Sequence, residues 1–296
     1  MFKALNAIIE NEINESNLDF YTVIIGTKPS QGARSPKLWN RAYEYEQKRI
    51  RMVPLDVRED KLEQVFNYLK EDKQCLGGAV AVPYKEKIFN LIKENVEEEI
   101  RAIGAVNCFH RPTNGSLINE FTGTNTDGEA ALEPIRQQLI ESNNLTIGLL
   151  GFGGAGKAIL AFLLRDFEER HKVCLFNRNL IHTKDAKKNE LYSYTFNDLD
   201  TLLPHIDLLI NATSVGHVES IHKTPVPAKL LAKAKKNLVV YDIIYDPIKT
   251  ILLKDSEEKG LKTVNGLHMN LIQAVLAYSY TNPTSLAKEE IYKIMS

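Results

Sequence analysis

A glycine-rich turn is the first feature of this 296-residue sequence that could carry chemistry. The pattern G-x-G-x-x-G spans positions 151–156 and offers five candidate contacts, Gly151, Gly153, Gly154, Ala155 and Gly156. The apolar segment 145–150 before it predicts a strand, and the segment 157–165 after it predicts a helix. In this context the three glycines permit a tight turn, close approach of a pyrophosphate to the backbone, and close packing of the helix. We therefore predict a dinucleotide site, against the alternative of an ordinary glycine-rich turn.

The residues after the second predicted strand of this region indicate which dinucleotide is bound. Asn177 lies 21 residues beyond Gly156 and is followed by Arg178. An NAD site usually places Asp or Glu about here for the ribose 2′-hydroxyl, whereas a guanidinium suits bidentate contact with a 2′-phosphate. Lys184 would add positive charge. We therefore predict NADP(H), bound in part by Asn177 and Arg178; the alternative is that Arg178 is a solvated loop cation.

A lysine and an aspartate form the second candidate for chemistry. Lys85 follows a predicted strand at 78–82, and Asp127 lies in the polar motif Gly-Thr-Asn-Thr-Asp-Gly. An alcohol that is oxidised loses a proton as its hydride leaves. A lysine can relay that proton while an aspartate hydrogen-bonds the hydroxyl and orients the lysine. Both residues follow predicted strand ends, where open α/β sheets bind ligands. The alternative is that both are ordinary surface residues.

Strands alternate with helices along the chain. The first part predicts strands at 21–25, 51–55 and 78–82, a helix opened by Pro36 and a helix at 59–71. This alternation predicts an α/β protein with a parallel sheet. Beyond a polar loop at 141–144, the further predicted strands lie at 145–150, 173–176, 207–210 and 238–241, and the further helices at 157–165 and 267–280.

The composition excludes several classes of protein. Lys and Arg number 37 and Asp and Glu 38, so the formal net charge of -1 provides no overall field for nucleic acid or anionic lipid. No apolar run approaches the ~18–20 residues of a membrane helix. Three cysteines far apart in sequence predict reduced thiols in a cytoplasm. We expect no metal, because His217 and His222 are accompanied by neither HExxH nor clustered carboxylates.

The motifs, taken in order from about Tyr21 to Ala277, resemble those of the shikimate dehydrogenase family. The matching segments are Ser35-Pro36 with Asn40, 80–85, 102–107, 125–128, 151–156, Asn177-Arg178, 211–216, 241–247 and 265–273. Each segment is weakly specific by itself, and their number and order carry the resemblance.

The resemblance implies a role for each segment. The residues expected at the substrate are Ser35, Asn107, Tyr245 and Gln273, and the expected catalytic pair is Lys85 and Asp127. The loop expected beside the nicotinamide contains Thr213, Ser214 and Val215, and Gly266 is a further expected cofactor contact. The implied reaction is the reversible, NADPH-dependent reduction of 3-dehydroshikimate to shikimate in the biosynthesis of aromatic amino acids.

The resemblance also implies two domains with the active site in the cleft between them. An α/β substrate-binding catalytic domain is expected to comprise residues 1–126 and 266–296, and a Rossmann-type NADP-binding domain residues 127–265. We expect a cytoplasmic monomer or homodimer that acts on a small ring hydroxy acid and binds neither nucleic acid nor membrane.

Several positions depart from the family pattern. Ala33 stands where the family usually has the first of two serines, and Ala79 and Ala81 stand in a strand that usually reads Asn-Val-Thr. These changes predict an altered substrate preference or a weak affinity, unless Arg34 or Ser30 supplies the missing donors. The alternatives are therefore a quinate or aminoshikimate-type dehydrogenase, or a non-catalytic NADP(H)-binding protein. Two further departures are His217, in place of a common methionine, and His268, in place of a small residue.

Overall fold

The structure is a computed structural model that describes residues 2–112, 120–167, 170–180 and 191–296. Its contacts divide the chain into two compact units. Unit 1 comprises Met1–Thr126 and Leu271–Ser296, and unit 2 comprises Asp127–Asn270. The second boundary therefore lies five residues after the one expected from the sequence. Both units combine helices with a mainly parallel sheet, so the α/β fold class is confirmed.

Unit 1 is built on a five-stranded sheet with the order β2-β1-β3-β4-β5. Its strands are β1 (Phe20–Gly26), β2 (Ile50–Asp56), β3 (Cys75–Val80), β4 (Cys108–His110) and β5 (Thr122–Thr124). The first three strands are parallel, as predicted, but β4 and β5 each run antiparallel to the preceding strand. No bounds were predicted for β4 or for the strand expected before Asp127, which is β5, because three residues are too few to show an alternating pattern. The predicted strand at 78–82 is wrong at its end, since β3 stops at Val80.

The helices in the first part of unit 1 follow these strands. They are α1 (Lys3–Asn6), α2 (Ser35–Tyr45), α3 (Leu62–Glu71), α4 (Lys85–Ile92) and α5 (Glu98–Ile103). The predicted helix at 59–71 divides into a 3₁₀ turn, Glu59–Lys61, and α3. Pro36 lies in the first turn of α2, where a missing N–H breaks no helical hydrogen bond.

Unit 2 is built on a six-stranded parallel sheet with the order β11-β10-β9-β6-β7-β8. Its strands are β6 (Thr146–Leu150), β7 (Lys172–Asn177), β8 (Leu191–Thr195), β9 (Leu208–Asn211), β10 (Val239–Asp242) and β11 (Lys262–Val264). The four predicted strands of this region are confirmed within one residue, and β8 and β11 were not predicted. From β8 to β11, the strands come third, second, first, fourth, fifth and sixth along the chain, which is the dinucleotide-binding order. The loops after β6 and β9 therefore flank the crevice where such sheets bind ligands.

The helices of unit 2 cover this sheet. They are α6 (Asp127–Leu132), α7 (Arg136–Glu141), α8 (Gly154–Phe167), α9 (Leu199–Leu202), α10 (Ala228–Leu231) and α11 (Ile251–Glu258). The helix predicted at 157–165 is α8, which begins three residues earlier, inside the glycine-rich turn.

Two C-terminal helices complete the fold, α12 (Leu267–Thr281) and α13 (Lys288–Met295). The part of α12 in unit 1 packs on α2, where the indole N–H of Trp39 donates to the carbonyl of Ala274 at 3.1 Å and the ring of Tyr43 contacts that of Tyr278. This part of the helix is largely buried, since Leu271, Ala274, Val275, Ala277 and Tyr278 all belong to the core of unit 1. Within the described ranges, none of the helices has the length and apolar character needed to cross a membrane.

Candidate active site and cofactor site

The glycine-rich turn connects β6 to α8 and leaves open space beside its backbone at Gly153. Gly151 has a φ of +93°, and a Cβ there would lie 2.8 Å from the methyl carbon of Thr213. A Cβ on Gly156 would lie under 3.0 Å from the Gly151 carbonyl oxygen, so α8 can approach the turn this closely only with glycine. Around Gly153, by contrast, a Cβ would meet nothing within 4 Å. Backbone N–H groups at the start of a 14-residue helix attract phosphate, so the turn fits a pyrophosphate at Gly153.

The end of β7 offers the two candidate residues for the far end of the dinucleotide. Asn177 is the last residue of this strand, which pairs with β6, and its side-chain amide donates to the carbonyl of Asn179 at 3.3 Å. Arg178 follows and is exposed. An amide and a guanidinium therefore stand where an NAD site usually has a carboxylate. Lys184, which would add charge, lies outside the described residues.

The loop after β9 is held by the side chain of Asn211. The Asn211 carbonyl oxygen accepts from the N–H of Thr213 at 3.0 Å and from its hydroxyl at 2.7 Å. The Thr213 hydroxyl oxygen also accepts from the N–H of Val215 at 3.1 Å. Ser214 is exposed at the tip, and its carbonyl accepts from the hydroxyl of Ser220 at 2.9 Å. The predicted nicotinamide-side residues thus lie on one ordered loop at the carboxyl edge of the sheet.

A buried carboxylate that the sequence analysis did not single out lies at the end of β10. Asp242 is 0% exposed and accepts from the amide of Asn211 at 3.0 Å, the N–H of Ile244 at 3.1 Å and the hydroxyl of Thr250 at 2.7 Å. Burial raises the pKa of Asp242 to about 6, against the opposing effect of these three donors. The signal that could have revealed it is the one used for Lys85, a polar residue directly after an apolar strand.

The remaining predicted residues of unit 2 follow Asp242 along the chain. Tyr245 is half-buried in the loop after β10. The N–H of Gly266 donates to the carbonyl of Ile244 at 3.1 Å, and a Cβ at Gly266 would lie under 3.0 Å from the carbonyl oxygen of Ile243. Only glycine therefore permits the backbone approach at position 266.

In unit 1, two of the predicted substrate residues are brought together by a third residue that the sequence analysis did not name as a contact. The Asn107 amide donates to the Thr126 hydroxyl at 2.8 Å and to the Gln273 side-chain carbonyl at 3.5 Å, and its carbonyl oxygen accepts from the N–H of Thr126 at 2.8 Å. The Thr126 hydroxyl in turn donates to the backbone carbonyl of Gln273 at 3.1 Å. Antiparallel β4 and β5 place Asn107 and Thr126 side by side. Thr126 is recognisable only once this pairing is known.

Three further predicted residues each begin a helix. Ser35, 7% exposed, begins α2, and Lys85, half-buried, begins α4, both in unit 1. Asp127 begins α6 in unit 2 and is 3% exposed. Helix α6 packs closely on α8, since a Cβ on Gly128 would lie under 3.0 Å from the ring of Phe162. The N-terminus of a helix favours negative charge, so helix stability by itself explains an aspartate at position 127. It does not explain Lys85, because a positive charge is unfavourable at the start of a helix.

The alanines that depart from the family pattern lie in or against the apolar core of unit 1. Ala79 is a buried member of the core cluster, and Ala33 and Ala81 pack against that cluster. The two proposed substitutes for the missing donors have other surroundings. The Ser30 hydroxyl donates to the Asp56 carboxylate at 2.5 Å, and Arg34 lines a pocket of about 200 Å³ with residues of α13 and the chain end.

Three histidines were singled out in the sequence. His217 is half-buried, and His222 and His268 are exposed. Within the described ranges, no group of three or more His, Cys, Asp and Glu side chains could hold a metal ion.

The strand order and the glycine-rich turn together make unit 2 a Rossmann-type dinucleotide-binding fold. Residues 24–109 match the model of the shikimate dehydrogenase substrate binding domain. The chain is 29% identical to the shikimate dehydrogenase (NADP(+)) of Methanococcus vannielii, over 94% of this chain and 99% of the relative. It is 30% identical to the enzyme of the same name from Prochlorococcus marinus, over 88% and 91%. The crystal structure of shikimate dehydrogenase from Aquifex aeolicus is 28% identical with a TM-score of 0.76, covering 95% of this chain and 99% of that one. The chain belongs to the shikimate dehydrogenase family.

Proposed function

We propose that this protein is an NADP-dependent dehydrogenase that interconverts shikimate and 3-dehydroshikimate in the biosynthesis of aromatic amino acids. The observation that carries the proposal is the dinucleotide turn, in which the space around Gly153 is open. The chain also matches nearly the whole length of relatives that are named as NADP-dependent shikimate dehydrogenases. Hydride transfer to and from the substrate carbon is the chemistry that NADP(H) supplies when bound.

The residues of unit 2 fit the parts of NADP(H). The backbone at Gly153 and the start of α8 would hold the pyrophosphate, and the guanidinium of Arg178 would contact the 2′-phosphate. The loop that carries Thr213, Ser214 and Val215 would bind the nicotinamide end, because it follows β9 at the switch in strand order.

The residues that would move the proton are Lys85 and Asp127. In the oxidation direction, Lys85 would take the hydroxyl proton as the hydride leaves, while Asp127 would hydrogen-bond the same hydroxyl. Asp127 follows Thr126 directly in the chain, and both the N–H and the hydroxyl of Thr126 are bound to Asn107. This anchoring, together with the close packing of Gly128, supports a fixed backbone at Asp127.

The remaining polar groups would orient the ring acid. In the proposed site Ser35, Asn107 and Gln273 would contact the ring hydroxyl or carboxylate groups, and a contact from Tyr245 is a further part of the proposal. The mutual hydrogen bonds of Asn107 and Gln273 support a preorganised arrangement, which reduces the entropy lost on binding.

A second candidate substrate is favoured by Ala33 and Ala81, which pack against the core of unit 1 and carry no hydrogen-bonding side chain. With Ser30 bound to Asp56, its hydroxyl proton is already committed to a carboxylate. A ring acid whose carboxylate needs two hydroxyl donors would therefore bind weakly. The altered set of donors supports an altered preference among ring acids, and quinate or an amino-substituted analogue is the second candidate.

The test is a panel assay of the wild-type protein. Reduction of NADP⁺ is followed at saturating shikimate, quinate and aminoshikimate, with Lys85→Ala as the control for contaminating activity. Turnover of shikimate that disappears in Lys85→Ala supports the main proposal, and preference for another ring acid supports the second candidate. NADPH binding without turnover of any of the three would instead indicate a non-catalytic NADP(H)-binding protein and contradict the proposal. A cytoplasmic location and a monomeric or homodimeric state remain predictions.

A further inference from the structure

A buried polar network joins two strand ends in unit 2. Asn211 ends β9 and Asp242 ends β10, and the two residues are paired in the sheet register. Both are 0% exposed, and Thr250, the third member, is 1% exposed. Buried polar groups that are this fully hydrogen-bonded fix side-chain orientation strongly, because leaving any one of them unpaired is costly.

Asp242 determines which way the amide of Asn211 faces. An ionised carboxylate can only accept, so the side of Asn211 that faces Asp242 at 3.0 Å must be its NH₂ group. The carbonyl oxygen of Asn211 is then directed to the N–H and hydroxyl of Thr213. The same NH₂ group donates to the carbonyl of Val215 at 3.4 Å. If the amide turned over, the contacts with Asp242, with the N–H of Thr213 and with the carbonyl of Val215 would each join like partners.

The carboxylate of Asp242 is itself held from the other side. Its second oxygen accepts from the hydroxyl of Thr250, which also caps α11 by accepting from the N–H of Leu253 at 3.4 Å. Its first oxygen accepts from the N–H of Ile244, and the carbonyl of Ile244 receives the N–H of Gly266. One carboxylate thus connects the loop after β9, the loop after β10 and a helix cap.

We propose that Asp242 is a positioning residue for the cofactor loop: through Asn211 it sets the conformation of residues 212–216. This inference takes only one thing from the proposed function, namely that the ligand is NADP(H). The loop geometry itself can be measured without any ligand, through the hydrogen exchange of the Thr213 and Val215 amides.

The decisive variants are Asp242→Asn and a double variant that swaps the side chains of Asn211 and Asp242. Asp242→Asn removes the charge and one acceptor, so the Kd for NADPH should rise roughly 10-fold, the loss expected for one charge-assisted hydrogen bond. Asn211→Asp alone places two carboxylates side by side and should weaken binding further. The double variant Asn211→Asp with Asp242→Asn restores an amide–carboxylate pair and keeps the acceptor for Thr213. It should therefore bind NADPH about 10-fold more tightly than Asn211→Asp.

The matched control is Asp207→Asn, just before the other end of β9. Asp207 accepts from the N–H of Thr146 at 2.9 Å and from the Lys235 ammonium at 2.5 Å. Asp207→Asn should lower the melting temperature but leave the NADPH Kd within about twofold and the loop exchange unchanged. Thr250→Val serves as a milder variant that also frees the Asp242 carboxylate.

The outcomes separate this inference from the proposed function. Faster exchange of 212–216 in Asp242→Asn and Thr250→Val, but not in Asp207→Asn, supports the inference even if wild type fails to bind NADPH. That failure would contradict the proposed function alone. Three results would overturn the role of Asp242. The first is unchanged hydrogen exchange of residues 212–216 in Asp242→Asn, and the second is an equally large acceleration of that hydrogen exchange in Asp207→Asn. The third is a double variant that binds NADPH no more tightly than Asn211→Asp.

Discussion

Gly153→Ala and Gly156→Ala should differ in their effect on stability, although the two glycines are only three residues apart. At Gly153 a methyl group meets no protein atom within 4 Å, so folding should be unaffected. The methyl group would occupy the space through which a pyrophosphate reaches the backbone. Losing one charge-assisted hydrogen bond there costs ~1.5–3 kcal/mol, or roughly 10–100-fold in the Kd for NADPH.

At Gly156 the same methyl group would lie under 3.0 Å from the Gly151 carbonyl oxygen, which is backbone and cannot rotate away. Overpacking of this kind costs about 1–3 kcal/mol, and each kcal/mol lowers the Tm of a domain of this size by about 2–4 °C. Gly156→Ala should therefore lose stability as well as affinity.

The assay is fluorescence titration with NADPH beside calorimetric melting of both variants. A Gly153→Ala protein that binds NADPH like wild type would refute the phosphate assignment. A Gly156→Ala protein with an unchanged Tm would refute the packing argument.

Four further predictions follow from the site. Lys85→Ala should lower kcat by roughly 10²–10⁴-fold with the NADPH Kd unchanged, and a near-normal kcat in stopped assays would contradict its role. Arg178→Ala should weaken NADPH by about 10–100-fold and NADH little, so equal losses in parallel titrations would exclude a 2′-phosphate contact. The double variant Ala33→Ser, Ala81→Thr should raise kcat/KM for shikimate by roughly 30–2000-fold, because it restores one neutral and one charge-assisted hydrogen bond to the substrate. An unchanged kcat/KM would show that these hydroxyls are not needed. The pKa of Asp242, raised to about 6 by burial, makes the folded state hold its proton more tightly than the unfolded state, so stability falls as pH rises from about 4 to 6. Between about pH 4 and 6 the free energy of unfolding measured in urea should therefore fall by roughly 3 kcal/mol more in wild type than in Asp242→Asn, and parallel curves for the two proteins would contradict the assignment.

The sequence was sufficient where the determining interactions are local. The turn after β6 could be predicted because a tight turn, an exposed backbone and a close helix contact each require glycine at a fixed spacing. The structure bears out this reasoning at Gly151, with its positive φ, and at Gly156, with its blocked Cβ position. Strands β6, β7, β9 and β10 of unit 2 were equally accessible, because each is mainly a continuous apolar run.

The sequence was insufficient where partners are distant along the chain. Thr126 contacts Asn107 across 19 positions and Gln273 across 147, through strands too short to be recognised. Ser30 could be offered as a replacement donor only because its partner Asp56, 26 positions away, was not visible. Asp242 was not predicted as a site residue, because its three hydrogen-bond donors come from different segments of the chain.

Isotope transfer tests the central claim most directly. Wild-type protein is incubated with 3-dehydroshikimate and NADPH deuterated at C4 on either face, and the product is analysed by mass spectrometry and NMR. One deuteride per molecule, at the carbon that bears the new hydroxyl and from only one face of the cofactor, is the predicted result. Shikimate that forms without deuterium from either cofactor, or no reduction with NADPH under conditions where the protein binds it, would contradict the account.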